Sequence, residues 1–156
     1  MKAIIEEYQP GQENEICQMV KRVYDEFVAT DNTEEGNKLF YDCIKPKNIA
    51  ARQKEKNNIL IAKDNEQIVG MVEIGDNQDV FLLYVDKAHQ KQGIAKRLYL
   101  KAVCTCVKKQ PDLNKFSVHA SLYSVPVFEK LGFTATGPKK TENGITYLPM
   151  VTELKV

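Results

Sequence analysis

A short glycine-containing stretch, Gln90-Lys91-Gln92-Gly93-Ile94-Ala95, lies between an apolar run and a helical pattern. The apolar run covers residues 80–85, and beyond Gly93 apolar residues recur at intervals of three and four as far as Val107. This order predicts a strand, a tight loop and an amphipathic helix. The first N–H groups of a helix have no intrahelical acceptor and the helix dipole is positive there, so such a corner is suited to bind phosphate. The cationic or titratable side chains around it are Lys87, His89, Lys91, Lys96 and Arg97, in a chain whose net charge is only +1.

The composition predicts a single globular domain that spans residues 1–156. Hydrophobic residues make up 43% of the chain and charged residues 28%, both ordinary for a soluble protein. The longest apolar run is far shorter than a membrane span, and the N-terminus becomes acidic where a signal peptide would be apolar. We therefore expect a cytoplasmic protein with no membrane partner. The pI near 7.6 argues against a nucleic-acid partner.

The cysteines do not predict a metal site. Cys17, Cys43, Cys104 and Cys106 form no C-x-x-C pair, and neither histidine lies near a cysteine pair. Buried or half-buried free thiols are the expected state, which fits a reducing compartment.

The first third of the chain combines one strand with helices. A strand is expected from Lys2 to Tyr8, followed by a helix whose apolar stripe runs from Ile16 to Val28. Asp31 with Glu34 resembles a capping box that opens a second helix through residue 41. Pro46 starts a short helical piece that reaches residue 52.

The rest of the chain is richer in strands. Residues 59–62, 68–74 and 80–85 are expected to form an antiparallel meander, because turn residues separate them. After the loop and the long helix come a strand over 116–120 and a helix over about 124–131, stopped by Gly132. Residues 133–136 and 145–154 form a final β pair. The predicted order is β-α-α-β-β-β-α-β-α-β-β, a mixed α/β fold around one sheet.

Three signals in this order resemble the GNAT superfamily of acetyl-CoA-dependent N-acetyltransferases. The first is the loop pattern Q/R-x-x-G-x-G/A, met by Gln90, Gly93 and Ala95. The second is its context, between a strand that ends in Leu83-Tyr84-Val85-Asp86 and an amphipathic helix. The third is the block from Ala120 to Phe133, which ends in E-K-L-G-F as in the family. The likeness covers about residues 55 to 156 well and the first third in outline.

The resemblance implies a central, mostly antiparallel, splayed sheet and acetyl-CoA as cosubstrate. The loop would cradle the pyrophosphate with main-chain N–H groups, and the end of the preceding strand would pair with the pantetheine arm. The same strand would offer an N–H to the oxyanion that forms on the thioester carbonyl. The implied cofactor-binding residues are Leu83, Tyr84, Val85, Gln90, Lys91, Gln92, Gly93, Ile94, Ala95, Lys96, Ser121 and Phe128.

The catalytic residues depart from the family pattern. Many relatives place a tyrosine acid where this chain has Phe128, which has no hydroxyl. Tyr123 lies five residues before Phe128, about 140° round a helix, and cannot simply replace that tyrosine. Tyr123, Ser121 and Ser124 are the candidates for the acid. Glu73 is the predicted base, acting through water, and a solvated glutamate on an alternating strand is the alternative interpretation of the same residue. Asp86 and His119 rank below Glu73.

The acceptor is not specified, beyond a primary amine of a small molecule or protein. Aromatic and acidic residues between positions 24 and 42 would suit an amine, although a core and solvated helix faces explain them more easily. A non-catalytic acyl-CoA-binding module is the alternative that Phe128 motivates. A third hypothesis is an interaction domain without cofactor, forming a homodimer through residues 146–156. A nucleotide-binding protein is disfavoured, because neither G-x-G-x-x-G nor a P-loop pattern occurs.

Overall fold

The computed structural model describes residues 3–55 and 57–154. Its helices are α1 (Glu13–Phe27), α2 (Glu34–Cys43), α3 (Pro46–Lys54), α4 (Ile94–Lys109) and α5 (Val125–Lys130). Its strands are β1 (Ile4–Glu7), β2 (Asn58–Asp64), β3 (Gln67–Ile74), β4 (Asp79–Val85), β5 (Lys115–Ala120), β6 (Thr134–Ala135), β7 (Lys140–Glu142) and β8 (Ile145–Glu153).

One sheet in the order β1-β2-β3-β4-β5-β8-β6 carries the fold, and β7 pairs with β8 beside it. All pairs along this order are antiparallel except β4 with β5. That parallel pair joins only Asp79 to Ser117 and Val80 to Val118. Beyond these residues the two strands separate, so the sheet is splayed between β4 and β5. The predicted mixed α/β, mostly antiparallel, splayed architecture is confirmed.

A bulge in β4 coincides with the point where the strands separate. Ile74 pairs with Val80 and Glu73 pairs with Leu82, which leaves Phe81 without a partner across the β3–β4 ladder. A bulge bends its strand and sharpens the local twist. It therefore helps to turn β4 away from β5 immediately after Val80.

Helices cover both faces of the sheet. On one face α4 buries Leu98 and Ala102 against a core that includes Val72 and Phe116, both of which are fully buried. On the other face α1 and α3 bury their own apolar side chains against the sheet, in a cluster that includes Ile16, Met19, Ile49, Ile61 and Met71. The amphipathic stripes predicted from the sequence are the residues that fill these two cores.

Several boundaries differ from the sequence expectations. The second helix is capped by Thr33, whose Oγ1 accepts a hydrogen bond from the Gly36 N–H at 3.1 Å, so the predicted Asp31–Glu34 capping box is wrong. Strand β7 was not predicted, because it is only three residues long and all three are exposed. The predicted first strand is confirmed over Ile4–Glu7, while its proposed start at Lys2 lies outside the described residues. Of the described helices, none has both the length and the apolar character that a membrane crossing requires.

Candidate functional site

The splay between β4 and β5 opens a cleft of about 1150 Å³. Residues of β4 form one wall and residues of β5 and α5 the opposite wall, with the 90–96 loop at one end. Helices α1 and α2 and the β7–β8 hairpin line the remainder. A cleft of this kind is the default location for a binding site in a single domain.

The loop at the end of the cleft presents free N–H groups. Lys91 has φ +64° and Gly93 has φ +82°, a left-handed backbone that glycine adopts at little cost. Arg97 is the first residue of α4 whose N–H bonds back, to the Gly93 carbonyl at 3.1 Å. The N–H groups of residues 94–96 therefore have no acceptor inside the helix. Together with the helix dipole they form an anion-binding corner.

The free edge of β4 offers main-chain groups to the cleft. The Asp86 N–H bonds to the Val69 carbonyl of β3 at 2.8 Å, and main-chain groups alternate sides along a strand. Those of Val85 and Leu83 therefore point away from β3, into the gap that β5 has left. The Val85 carbonyl supports this direction, because it accepts a hydrogen bond from Gln90 Nε2 at 2.9 Å. An extended ligand could pair with this edge as an added strand does.

A hydrogen bond crosses the loop end of the cleft from one wall to the other. The Tyr123 hydroxyl donates to Gln90 Oε1 at 2.6 Å, and its ring stacks on Phe27 with centroids 4.4 Å apart. Since Gln90 also holds the Val85 carbonyl, this contact ties the residues after β5 to the end of β4.

His89 supports the same loop from behind. Its Nε2 lies 3.0 Å from Asp64 Oδ2, and its Nδ1 lies 3.7 Å from Asp86 Oδ2. The Asp86 carboxylate also contacts Arg22 at 3.3 Å. Asp86 stabilises the turn through its main chain as well, because its carbonyl accepts the His89 N–H at 2.9 Å.

Most residues expected to contact the cofactor do surround this cleft. All of those inferred from the resemblance line it except Gln92, which is exposed on the loop. Ser121 lies just after β5, where its Oγ contacts Ser124 Oγ at 3.0 Å. Phe128 also lines the cleft but is 3% exposed and packs edge to face on Phe133. These placements show proximity to the cleft, and binding stays a prediction.

Glu73 does not lie among the residues that line the cleft. Its side chain is completely buried, and its carboxylate accepts hydrogen bonds from Arg52 Nε at 2.7 Å and Arg52 Nη2 at 3.1 Å. Asn57 Nδ2 donates a third at 2.7 Å. Arg52 also bonds the Cys43 carbonyl and lies over the Phe81 ring. These are the contacts of an ion pair that ties α3 to the sheet, and the alternative expectation of a solvated glutamate is wrong.

Asp79 is a carboxylate that the sequence analysis did not identify. It lies at the start of β4, lines the cleft and accepts a hydrogen bond from Ser117 Oγ at 2.9 Å. Burial raises the pKa of the Asp79 carboxyl, while the Ser117 bond and the nearby His119 act in the opposite direction. The only signal in the sequence was an acidic residue that opens a buried strand, which is common and carries no specificity.

Aromatic side chains line both sides of the cleft. Tyr24 stacks on Phe40 with centroids 3.8 Å apart, and the Phe40 ring centroid lies 6.0 Å from that of Tyr84. Burial raises the pKa of the Tyr84 phenol, with Tyr24 and Cys43 adding to the effect, so Tyr84 is a poor proton donor. Across the cleft the rings of His119 and Tyr147 stack with centroids 4.0 Å apart, and the Tyr147 hydroxyl donates to Glu142.

The β7–β8 turn closes one side of the cleft by contacting α2 and the residues before it. The Thr33 N–H donates to the Gly144 carbonyl at 2.9 Å, and the Thr146 N–H donates to Asn32 Oδ1 at 2.8 Å. The two segments approach so closely that a Cβ on Gly36 would lie 2.2 Å from the Gly144 oxygen. Only glycine fits at these two positions. We call this contact the roof.

Comparison with known proteins agrees with this geometry. A family model described as an acetyltransferase (GNAT) domain matches residues 28–154. That range contains both strands of the splay, the loop and the roof.

Solved structures with the same fold include several acetyltransferases. A GCN5-related N-acetyltransferase from Rhodopseudomonas palustris is 18% identical with a TM-score of 0.83, covering 99% of this chain and 97% of that one. The PaiA N-acetyltransferase from Thermoplasma acidophilum, solved with coenzyme A, is 15% identical with a TM-score of 0.80, covering 98% and 99%. The ribosomal-protein-S18-alanine N-acetyltransferase from Escherichia coli is 13% identical with a TM-score of 0.67, covering 99% and 95%. At these identities the likeness establishes the fold.

Proposed function

Because the chain belongs to the GNAT acetyltransferase family, we propose that it transfers an acetyl group from acetyl-CoA to a primary amine by direct attack. The observation that carries the proposal is the coincidence of three features in one cleft. These are the splay between β4 and β5, the free main-chain edge of β4, and the loop of unpaired N–H groups at its end. A similar structure from Thermoplasma acidophilum has coenzyme A bound, which supports the cosubstrate.

The loop and the free strand would hold different parts of acetyl-CoA. The N–H groups of residues 91–96 and the side chains of Lys91 and Lys96 suit the pyrophosphate, which carries negative charge. The Leu83 and Val85 main-chain groups suit the amides of the pantetheine arm. Ser121 and Phe128 would face the arm from the opposite wall. The free thiols of the described cysteines agree with a reducing, cytoplasmic location.

The reaction requires a neutral amine and a leaving thiolate. The amine nitrogen forms a bond to the acetyl carbon, the C–S bond breaks, the nitrogen gives a proton to a base, and the thiolate takes one. An ordinary alkyl amine has a pKa near 10.4, so about one molecule in a few thousand is neutral at pH 7. A base is therefore more important than an acid, because a thiol of pKa about 8.5 leaves readily.

Two carboxylates compete for the role of base. Glu73 is the residue proposed from the sequence, and its buried ion pair means that it would act only through a chain of water from behind β4. Asp79 lies in the cleft wall itself, where burial favours its neutral form and so its proton affinity. Separate Glu73→Gln and Asp79→Asn variants distinguish them, because only the loss of the base should lower kcat strongly.

We propose Tyr123 as the proton donor to the thiolate. Its hydroxyl lies in the cleft wall within hydrogen-bond distance of the loop, at 2.6 Å from Gln90 Oε1. A second candidate function, a non-catalytic acyl-CoA-binding module, is favoured by the buried Phe128, which offers no hydroxyl to the cleft. Turnover of any amine excludes that module.

Calorimetric titration with acetyl-CoA tests the proposal. We expect micromolar or tighter binding that Gly93→Asp weakens by about a hundredfold or more, because a carboxylate would lie where the pyrophosphate binds. Gly11→Asp is the matched control, since Gly11 has φ +104° and also has open space around it, but lies away from the cleft. It imposes a similar backbone strain without changing the loop. No binding to the folded wild-type protein would refute the proposal.

A further inference from the structure

The cleft is divided by charge along its length. The lysines of its lining are Lys91 and Lys96 near the loop and Lys130 on α5; of the two histidines in the lining, His89 lies at the loop and His119 lies near Asp79. The lining carboxylates belong to Asp79 at the start of β4 and to Glu142 on β7. The two ends of β4 lie about 20 Å apart for a strand of this length. Within residues 3–55 and 57–154, α1, α2, β4, β7 and β8 add no lysine or arginine to the lining.

The acidic end also exposes apolar surface. Phe81 lies two residues after Asp79 on β4, is 43% exposed and lines the cleft. Leu39, which is 46% exposed, and the stacked rings of Tyr24 and Phe40 line the same cleft from the side of the helices. The bulge at Phe81 leaves that residue out of the β3–β4 ladder, at the mouth of the splay. Exposed apolar surface inside a cleft is surface that a ligand is expected to cover.

The roof limits the shape of a ligand at this end. It joins the start of α2 to the β7–β8 turn through Thr33, Asn32, Gly144 and Thr146, which belong to the two opposite sides of the cleft. A polypeptide that lay across the acidic end would have to pass through these main-chain contacts. A small molecule that enters end-on needs no such passage.

We propose that the acceptor is a small amine with an apolar or aromatic body, whose ammonium group binds in the part of the cleft that Glu142 and Asp79 line. This rests on the proposed acetyl transfer. The apolar and aromatic side chains of the lining contact the body of the amine. The two carboxylates attract its positive charge and repel acceptors that carry a carboxylate of their own. An amine on a protein surface or in a peptide chain is a poor acceptor because the roof blocks its flanking residues.

Glu142 is placed to recognise the amine without taking part in the chemistry. Its carboxylate accepts the Tyr147 hydroxyl, and the Tyr147 ring carries the stacked His119. Glutamine at this position would keep an oxygen for the Tyr147 hydroxyl and lose only the charge. The Glu142→Gln variant therefore isolates the attraction of the ammonium group.

The experiment measures CoA release with a matched panel of acceptors at fixed, saturating acetyl-CoA. The panel contains 2-phenylethylamine, tyramine, putrescine, glutamate, a peptide with a free N-terminus, and a lysine-containing peptide with a blocked N-terminus. We expect kcat/KM for the arylalkylamines to exceed those for glutamate and both peptides by about a hundredfold. Glu142→Gln should raise the arylalkylamine KM about tenfold or more with little change in kcat. Glu129→Gln, an exposed glutamate on α5 outside the lining, is the charge-matched control.

The outcomes separate this inference from the proposed function. Acetyl-CoA binding with either peptide or glutamate as the best acceptor leaves acetyl transfer standing and overturns the acceptor assignment. The acceptor assignment is also overturned if Glu142→Gln leaves the arylalkylamine KM unchanged, or if Glu129→Gln raises that KM by the same factor. Acetyl-CoA binding with no turnover of any amine overturns the assignment as well, while absence of acetyl-CoA binding refutes the proposed function first.

Discussion

Arg52→Met should destabilise the protein strongly, because it leaves a buried charge without its partner. Glu73 has no exposed surface and receives two of its three hydrogen bonds from Arg52. Breaking a buried ion pair in this way costs about 3–5 kcal/mol. For a domain of this size each kcal/mol lowers Tm by about 2–4 °C, so the expected loss is roughly 6–20 °C. Methionine has an unbranched side chain of comparable length up to the guanidinium, so the loss reports mainly on the guanidinium, which contacts both Glu73 and the Phe81 ring.

The partner substitution gives the second part of the test. Glu73→Gln should cost less, about 1–2 kcal/mol, because the Arg52 side chain is partly exposed and can be hydrated.

Urea denaturation of the wild-type protein and of both variants measures these differences in unfolding free energy. Lys54→Met is the control, since Lys54 is an exposed cation on the same helix. A loss below about 1 kcal/mol in Arg52→Met would refute the structural assignment of the pair. If Glu73→Gln is folded but has lost about a hundredfold or more in kcat, then Glu73 is the base after all.

Three further predictions concern the cleft and its surroundings. Tyr123→Phe should lower kcat by about a hundredfold in steady-state kinetics, while the Kd for acetyl-CoA measured by calorimetry stays within about threefold of the wild-type value. An unchanged kcat excludes Tyr123 as the acid. Iodoacetamide at pH 8 should label the exposed Cys104 long before Cys43. Burial raises the pKa of the Cys43 thiol to about 11, so roughly one Cys43 thiol in a thousand is ionised at that pH. Equal labelling rates of the two cysteines in peptide mapping would contradict this prediction. Gly36→Ala should lower Tm by roughly 2–12 °C through overpacking at the roof, although alanine normally stabilises a helix; a raised Tm in a thermal melt would mean that the roof is open.

The sequence predicted what depends on local pattern. The stripes of α1 and α4 have the 3.6-residue period of their buried faces, and the glycine at 93 marks the helix start because the backbone there has a positive φ. Each of these sequence signals lies within a few residues of the helix or turn that it predicts. The splayed sheet was inferred from the family resemblance, which also placed most of the expected cofactor-binding residues around one cleft.

Features that depend on distant parts of the chain were not predicted. The Arg52–Glu73 pair joins residues 21 apart, and the roof joins Thr33 to Gly144 across 111. No local pattern distinguishes a glutamate on an alternating strand that faces solvent from one that meets an arginine of a neighbouring helix. Asp79 was missed for the same reason, since its position in the cleft depends on where β4 and β5 separate.

The roof and the narrow junction between β4 and β5 have a mechanical consequence. Strands β4 and β5 pair at only two residue pairs, and so short a ladder does not by itself fix the angle between the two parts of the sheet. The roof joins the two sides of the cleft through hydrogen bonds, and the Tyr123–Gln90 hydrogen bond joins them again at the loop end. These surface contacts therefore act together with the core under α4, which includes residues from both sides of the splay, in setting the width of the cleft. Cleft width, and so the thickness of the molecule that fits, is adjustable through hairpin substitutions that leave both cores intact.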